Sequence, residues 1–367
     1  MTVLARPAGT SVRVELDPSA TAMVWMAVDR PHEAVAFVSV HLAPGEVLVE
    51  VELATICGSD VHTVRGDRPA PAPLVLGHEQ LGRIVALGAA PVSAVDGSPL
   101  RLGDRVLWSI AASCGDCDRC RSGRSQKCRT LRKYGHERIE DRWVLSGGFA
   151  THTHLLAGTP IVRVPDDIPA AVLAPVSCGT ATAFAALAAV EQVRPLKGAE
   201  VLISGAGMIG LTATAMAVDR GASVTVVDPD PARRDLARRF GAAQTLAPGA
   251  SPGEFDAAIE ASGSPAAVAT SLVSTGIGGV VLLVGSVSPT EAVPLDPERV
   301  VRSLLTIRGV HNYTPLQLAA ATDYMVDRWQ SWPFAELVGE TVSLDHLDDG
   351  IRRAGAGGPV RVAVSPR

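Results

Sequence analysis

Glu200-Val201-Leu202-Ile203-Ser204-Gly205-Ala206-Gly207-Met208-Ile209-Gly210 joins a short apolar run to a glycine-rich hexapeptide, and a helical pattern over 211–220 follows at once. In that order, strand then turn then helix, Gly-x-Gly-x-x-Gly has a physical meaning. Gly205 permits the tight turn, Gly207 lets a pyrophosphate approach the backbone, and Gly210 lets helix and strand pack closely. The helix N-terminus that follows offers N–H groups and a partial positive charge to phosphate oxygens, with Met208 and Ile209 in the turn counted among the cofactor-binding residues. Asp228 closes the next apolar strand, 18 residues beyond Gly210. A carboxylate there suits both adenosine ribose hydroxyls and repels a 2′-phosphate, which favours NAD. Arg233 and Arg234 follow closely and pull toward NADP.

Outward from this unit, strands and helices alternate. Residues 180–190 are nearly all Ala, Thr, Phe and Leu and read as a buried helix, and 231–240 as a charged amphipathic helix stopped by Gly241. Strands are expected at 257–260, 280–284 and 305–308, with helices between them. Such alternation makes an α/β fold, a doubly wound parallel sheet, expected over 171–329. Earlier in the chain the texture differs. Runs at 34–40 and 46–53 are separated by the turn Pro44-Gly45, and turn signals recur at Gly77, Gly82, Gly88, Gly103 and Gly147-Gly148. Residues 21–170 therefore read as a β-rich domain in the manner of a partly open barrel. About 330–367 returns to short strands, of which 360–364 is expected to rejoin that domain. Residues 1–20, interrupted by Asp17-Pro18, read as an irregular N-terminal arm.

The 367 residues fit two domains at roughly 150 residues each. Apolar residues make up 47% and charged residues 19%, a globular balance. No uninterrupted apolar run reaches about 18 residues, so no membrane span is expected. A net charge of −5, with one short basic cluster over 119–132, argues against nucleic-acid and membrane partners. The first 20 residues lack the apolar core of a secretion signal, and a cytoplasmic location is expected. Six cysteines are too few for a disulfide scaffold, and their clustering points to metal or catalysis.

Four of them form Cys114-x2-Cys117-x2-Cys120-x7-Cys128. Four thiolates in one short loop suit a closed tetrahedral Zn²⁺ site that holds the loop, with an iron–sulfur cluster as the rival occupant. Cys57 and Cys178 remain. Cys57 opens Cys57-Gly58-Ser59-Asp60-Val61-His62, and His78 of Gly77-His78-Glu79 comes 21 residues after it. Two thiolates and a neutral imidazole make a neutral zinc site with its fourth position open, the catalytic arrangement. Two zinc ions per chain are expected.

Taken in order, Cys57-Gly58-Ser59-Asp60-x-His62, Gly77-His78-Glu79, the four-cysteine loop, Gly147-Gly148-Phe149-Ala150 and Gly205-x-Gly207-x-x-Gly210 resemble the zinc-dependent medium-chain alcohol and polyol dehydrogenases, over about residues 30–367. The resemblance implies a GroES-like catalytic domain and a Rossmann dinucleotide-binding domain. Cys178-Gly179-Thr180-Ala181-Thr182-Ala183-Phe184 is similar to the family segment whose first position supplies the third zinc ligand. A shifted register would put Ala174-Pro175 there and leave no ligand. Gly135-His136-Glu137 repeats the second motif just past the loop and is set aside as a decoy.

The resemblance also implies roles. Zinc lowers the pKa of an alcohol whose hydride passes to the nicotinamide. Ser59 bridges the substrate hydroxyl to the cofactor ribose, and His62 passes the proton to water. Asp60 fixes the ring of His78, Glu79 lies beside the metal, Thr182 presses on the nicotinamide, and Arg361 reaches the pyrophosphate. A homo-oligomer, dimer or tetramer, is expected. Residues 307–313 and 333–338 resemble a bacterial branch that includes cyclitol dehydrogenases. A cyclitol or polyol is thus the first expected substrate and a small phosphonate alcohol or aldehyde the second. A zinc-free quinone-reductase-like enzyme on the same fold would lack both ligand sets.

Overall fold

The computed structural model describes residues 11–250 and 253–366. The chain divides into two units. One comprises the chain up to Cys178, Thr314–Trp329 and everything from Phe334 onward; the other comprises Gly179–Tyr313 and Gln330–Pro333.

The second unit holds a six-stranded sheet in the order Gln244–Leu246, Ser223–Val227, Glu200–Ser204, Phe255–Glu260, Thr275–Leu283, Thr306–Gly309. Every pairing in it is parallel. Numbered along the chain the order is 3-2-1-4-5-6, that of a Rossmann dinucleotide-binding sheet. The central strand is covered on both faces, which is why Val201, Leu202 and Ile203 are all apolar and wholly buried. Helices Met208–Asp219 and Pro231–Arg239 make the crossovers beside it. Asp230 caps the second helix, its carboxylate accepting from Ala232 N at 2.8 Å.

The first unit is built on strands. A seven-stranded sheet runs Ile161–Arg163, Arg105–Trp108, Glu79–Leu87, Val47–Thr55, Arg361–Ser365, Val338–Ser343, with His152–Leu155 also paired to Val47–Thr55. The C-terminal strand docks antiparallel on Val47–Thr55, placing Ala363 opposite Thr55. Ile56, Val61, Phe149, Leu347 and Val362 form one buried cluster, and Val49, Trp108, Tyr134, Trp143 and Leu155 another.

Three expectations need correction. The first ten residues of the expected arm lie outside the described residues, but Val12–Trp25 is a strand, antiparallel to Glu33–Leu42. Asp17-Pro18 marks only a register shift between Glu15 and Ala20, and Val14 and Leu16 still pack on the core. Helix Pro315–Arg328, expected in the nucleotide domain, belongs with the first unit, because it packs on Ala174–Ser177 and Ala170–Leu173. The C-terminal stretch also contains a helix, Leu347–Gly355, whose Leu347 and Ile351 enter the core. Among the described residues no single helix is long and apolar enough to cross a membrane.

Candidate active site and metal centres

Two groups of described side chains could each hold a metal ion, with their donor atoms within 4.8 Å of one another. The first is local. A single turn of helix, Asp118–Arg121, sets Cys117 and Cys120 side by side. The Sγ–Sγ separations are 3.4 Å for Cys114–Cys128, 3.6 Å for Cys117–Cys120, 3.9 Å for Cys117–Cys128 and 4.0 Å for Cys114–Cys120. These bracket the ~3.8 Å edge of a tetrahedron with Zn–S near ~2.3 Å, and they are far too long for disulfide bonds. Backbone N–H groups of Asp116 and Cys117 hold Cys114 below the usual thiol range, and those of Arg129 and Cys120 do the same for Cys117. The residues fit a closed zinc site.

The second group, Cys57, His78, Glu79 and Cys178, is gathered from three distant segments. Cys57 is the N-cap of helix Gly58–Val64, anchored by buried Ile56 and Val61. Asp60, three residues on, accepts from Cys57 N at 2.9 Å. Its other oxygen lies 3.4 Å from His78 Nδ1. That nitrogen is buried and has no aligned hydrogen bond, so Asp60 orients the ring mainly by charge. His78 enters strand Glu79–Leu87. Ser177 Oγ donates to the His78 carbonyl at 3.3 Å, tying the turn Ala174–Ser177 to it and delivering Cys178 to the cluster. Ala174, the residue of the shifted register, is buried core.

Glu79 has no solvent exposure. Its carboxylate accepts from Thr55 Oγ1 at 2.7 Å and from Arg361 Nε and Nη2 at 2.7 and 2.8 Å. Arg361, expected at a pyrophosphate, is thus committed to this carboxylate as a two-pronged pair, and its Nη2 lies 3.7 Å from Cys57 Sγ. The strand that rejoins the first unit brings it there.

The electrostatics favour a cation where these donors meet. The Cys178 thiol donates to Cys57 and holds it well below the usual thiol range, against burial and with help from Arg361; Cys178 is pushed up in return. Burial pulls His78 down, yet Asp60 and then Cys57 carry it up to about 10. A pocket that stabilises positive charge on an imidazole beside a thiolate fits a divalent metal with affinity for nitrogen and sulfur. Ser59 Oγ lies 3.4 Å from His78 Nε2. His62 is half exposed, with Nδ1 3.1 Å from Asp67 Oδ2.

In the second unit Gly205 has φ +102°, a conformation favouring glycine, and a Cβ on Gly210 would clash with the Gly205 carbonyl. Gly207 faces open space. Met208 and Ile209 begin the helix, their N–H groups lacking intrahelical partners. Asp228 accepts from Ala206 N at 2.7 Å and Asp230 N at 2.9 Å, which aims the carboxylate and leaves acceptor capacity on both oxygens. Arg234 folds back on the Asp228 carbonyl at 2.7 Å, while Arg233 lies in the first turn of the next helix. Thr182 is nearly buried at the start of helix Gly179–Glu191.

His136 is not a bystander. Its ring packs 4.8 Å from that of His78, and its Nδ1 donates to the Tyr134 carbonyl at 2.8 Å. Burial, then the charge of His78, hold its pKa well down. The repeated Gly-His-Glu was the visible signal, but nothing in the local pattern says that the two copies touch.

A Rossmann unit in one chain with a β-rich unit carrying a buried Cys-His-Glu-Cys cluster defines a metal-binding oxidoreductase that uses a nicotinamide cofactor. Comparisons with known proteins agree. Residues 43–166 match the alcohol dehydrogenase GroES-like domain, and 209–327 the zinc-binding dehydrogenase domain. An L-threonine 3-dehydrogenase of Streptomyces avermitilis is 34% identical over 289 residues, covering 74% of this chain and 78% of the relative. A 5-exo-hydroxycamphor dehydrogenase of Pseudomonas putida is 29% identical over 345 residues, covering 88% and 92%. The crystal structure of an alcohol dehydrogenase from Thermotoga maritima superposes with a TM-score of 0.89 at 27% identity, covering 95% of this chain and all of that one. The chain belongs to the zinc-dependent medium-chain alcohol dehydrogenase family.

Proposed function

We propose that this enzyme interconverts a secondary alcohol and its ketone with NAD(H), on a polyhydroxylated substrate such as a cyclitol or another polyol. The observation that carries the reading is the buried convergence of Cys57, His78 and Cys178, with Ser59 Oγ beside the imidazole. Zinc bound there supplies a Lewis acid that eases loss of an alcohol proton, and the nicotinamide accepts hydride. The chain's own groups do the rest. Ser59 Oγ would accept the hydroxyl proton only while passing its own onward, through the ribose of a bound cofactor, toward His62. His62, its Nδ1 held by Asp67, presents Nε2 to solvent and releases the proton there. Asp60 keeps the His78 ring in place, and Arg361 neutralises Glu79 so that a buried carboxylate does not stand unpaired. The second zinc, in the four-cysteine loop, is structural. Asp228 favours NAD over NADP. Association of copies belongs to the same reading, since strand Thr306–Gly309 ends its sheet and Ile277, Val301 and Leu304 nearby are exposed.

The test is a panel of cyclitols, polyols and their ketones with NAD and NADP, read by absorbance of the reduced cofactor, with zinc measured on chelator-free enzyme. Two zinc ions per chain and a higher kcat/KM with NAD are expected. Turnover of no alcohol or ketone in either direction would defeat the reading. A preference for NADP would move the cofactor assignment to Arg233 and Arg234.

A further inference from the structure

Lys133 is one of only three lysines among 33 basic residues, and it is in an unusual place. It lies on the two-residue strand Arg132–Lys133, opposite Ala111, and is half-buried. Its chain neighbour Arg132 is paired, reaching Glu137 and Glu140 at 3.5 and 3.1 Å. Glu137 gives its second oxygen to the backbone N–H of Lys133, at 3.0 Å, and not to the ammonium. Among the described residues the Lys133 ammonium has neither a hydrogen bond nor an ion pair. The same is true of the Arg68 guanidinium.

Both residues belong to segments that build the catalytic cluster. Arg68 follows helix Gly58–Val64, which carries Ser59 and His62, and its backbone N–H donates to the His62 carbonyl at 3.2 Å. Residues 133–136 pack on the same cluster at His78 and Gly77. The Lys133 carbonyl accepts from His136 N at 3.4 Å, the His136 ring packs on His78, and Gly135 stands so close to Gly77 that a Cβ would fall 2.5 Å from its carbonyl oxygen. The two cations feel each other. Burial first, and then Arg68, hold the Lys133 pKa down to about 8, with Lys127 adding to the effect and Cys178 and Glu137 acting the other way. A half-buried ammonium that has no hydrogen bond or ion pair of its own and stands near another cation is held at a cost that the more distant charge of Glu137 offsets only in part, and an anion would relieve it.

We propose that Lys133 and Arg68 bind an anionic group of the substrate, a carboxylate or a phosphate-type oxyanion, beside the Cys57–His78–Cys178 cluster that takes its hydroxyl. This rests on the dehydrogenase reading and narrows it from neutral polyols to hydroxylated acids or phosphorylated and phosphonylated alcohols. Lysine contributes a point charge and arginine a planar fork, a combination suited to an oxyanion. His136, whose Nδ1 is spent on Tyr134, has Nε2 left for a neighbouring hydroxyl.

The experiment uses the zinc-loaded enzyme and three matched substrates that share one polyol chain and end in a hydroxymethyl, a carboxylate or a phosphate monoester. An anionic member is expected to exceed the neutral one in kcat/KM by about tenfold or more, the size of one charge-assisted hydrogen bond. Which member wins separates the carboxylate source from the phosphate source. Lys133→Met should erase that advantage through KM, leave the neutral polyol within about twofold, and keep two zinc ions; Lys133→Arg should restore most of it. Arg68→Gln should act in the same direction. Calorimetric titration of inorganic phosphate and of acetate into the same proteins supplies a readout independent of turnover. Wild type is expected to bind one of them, and the Lys133→Met, Arg68→Gln double variant neither. A neutral substrate preferred by wild type, equal losses on neutral and anionic substrates, or anion binding unchanged in the double variant would overturn the proposal. Turnover of neutral polyols without anion binding sinks this inference alone; anion binding without turnover of any alcohol sinks the dehydrogenase reading and spares the anion site.

Discussion

The four-cysteine loop and the Cys57–His78–Glu79–Cys178 cluster each present four donors within the same 4.8 Å spread, yet the chain makes them in opposite ways. The loop draws on 15 consecutive residues. Little besides backbone N–H groups and exposed ion pairs supports its sulfurs, and exposed pairs contribute little. There a bound metal would have to order the chain. The cluster draws on residues around 57, 78 and 178, each braced by a partner: Asp60 on Cys57, Ser177 on His78, Thr55 and Arg361 on Glu79. Here the chain itself would hold a metal in place. A site that must keep one coordination position open needs its geometry imposed from outside.

Removing one sulfur from each site should give the largest contrast. Cys178→Ala and Cys120→Ser should each lower zinc from two to one per chain. Cys178→Ala is expected to cut kcat/KM about a thousandfold or more, the several kcal/mol that a Lewis acid supplies, with the melting temperature little changed. Cys120→Ser should do the reverse, lowering the melting temperature while the folded fraction keeps most of its turnover. If Cys178→Ala retains two zinc ions and near-normal turnover, Cys178 is a core residue and the contrast collapses.

Next in size is the ionic bracing. Arg361→Met would strand the Glu79 carboxylate in a place with no exposure, at a cost of about 3–5 kcal/mol. Arg129→Met in the loop removes an equally short pair to Asp118, but both partners are more than half exposed, and the loss should stay below about 1 kcal/mol. Denaturant midpoints measure both. Adding Glu79→Gln should recover much of the Arg361→Met loss, since no buried charge then remains. Equal losses at the two sites would show that burial does not distinguish them.

What could be read from the sequence follows the same division. Strand Glu200–Ser204, the glycine turn and the cysteine loop depend on residues close in the chain, so periodicity and spacing expose them. Strand Val12–Trp25 was hidden because Asp17-Pro18 interrupts its alternation and its partner lies at Glu33–Leu42. The Glu79–Arg361 pair spans 282 residues, and no local pattern foretells it. Cys178 could be placed only through the leftover cysteine count and likeness to a family, since nothing in its own neighbourhood marks it as a ligand rather than core. The second Gly-His-Glu reads as a chance repeat, because a motif just past the cysteine loop carries no information about contact with the first.

That second motif provides the finest comparison. Gly123 in the loop and Gly135 beside the cluster have nearly the same backbone, φ +76° and +71°. A side chain at either is strained by about 1 kcal/mol for that conformation alone. Around Gly123 there is open space within 4 Å, so Gly123→Ala should cost little more. At Gly135 a Cβ would meet Gly77 O at 2.5 Å, Gly77 C at 2.9 Å and Gly77 N at 3.1 Å, all backbone that cannot rotate away. Gly135→Ala should therefore cost about 1–2 kcal/mol beyond the loop variant, as overpacking of a close contact does. The strain has one outlet, a shift of Gly77 and with it His78, so kcat should fall for Gly135→Ala and hold for Gly123→Ala. Paired denaturation curves and turnover of the zinc-loaded variants read the two effects separately. Equal stability losses would mean that 133–136 can move off the cluster freely, and Lys133 would then have no fixed station from which to meet an anion.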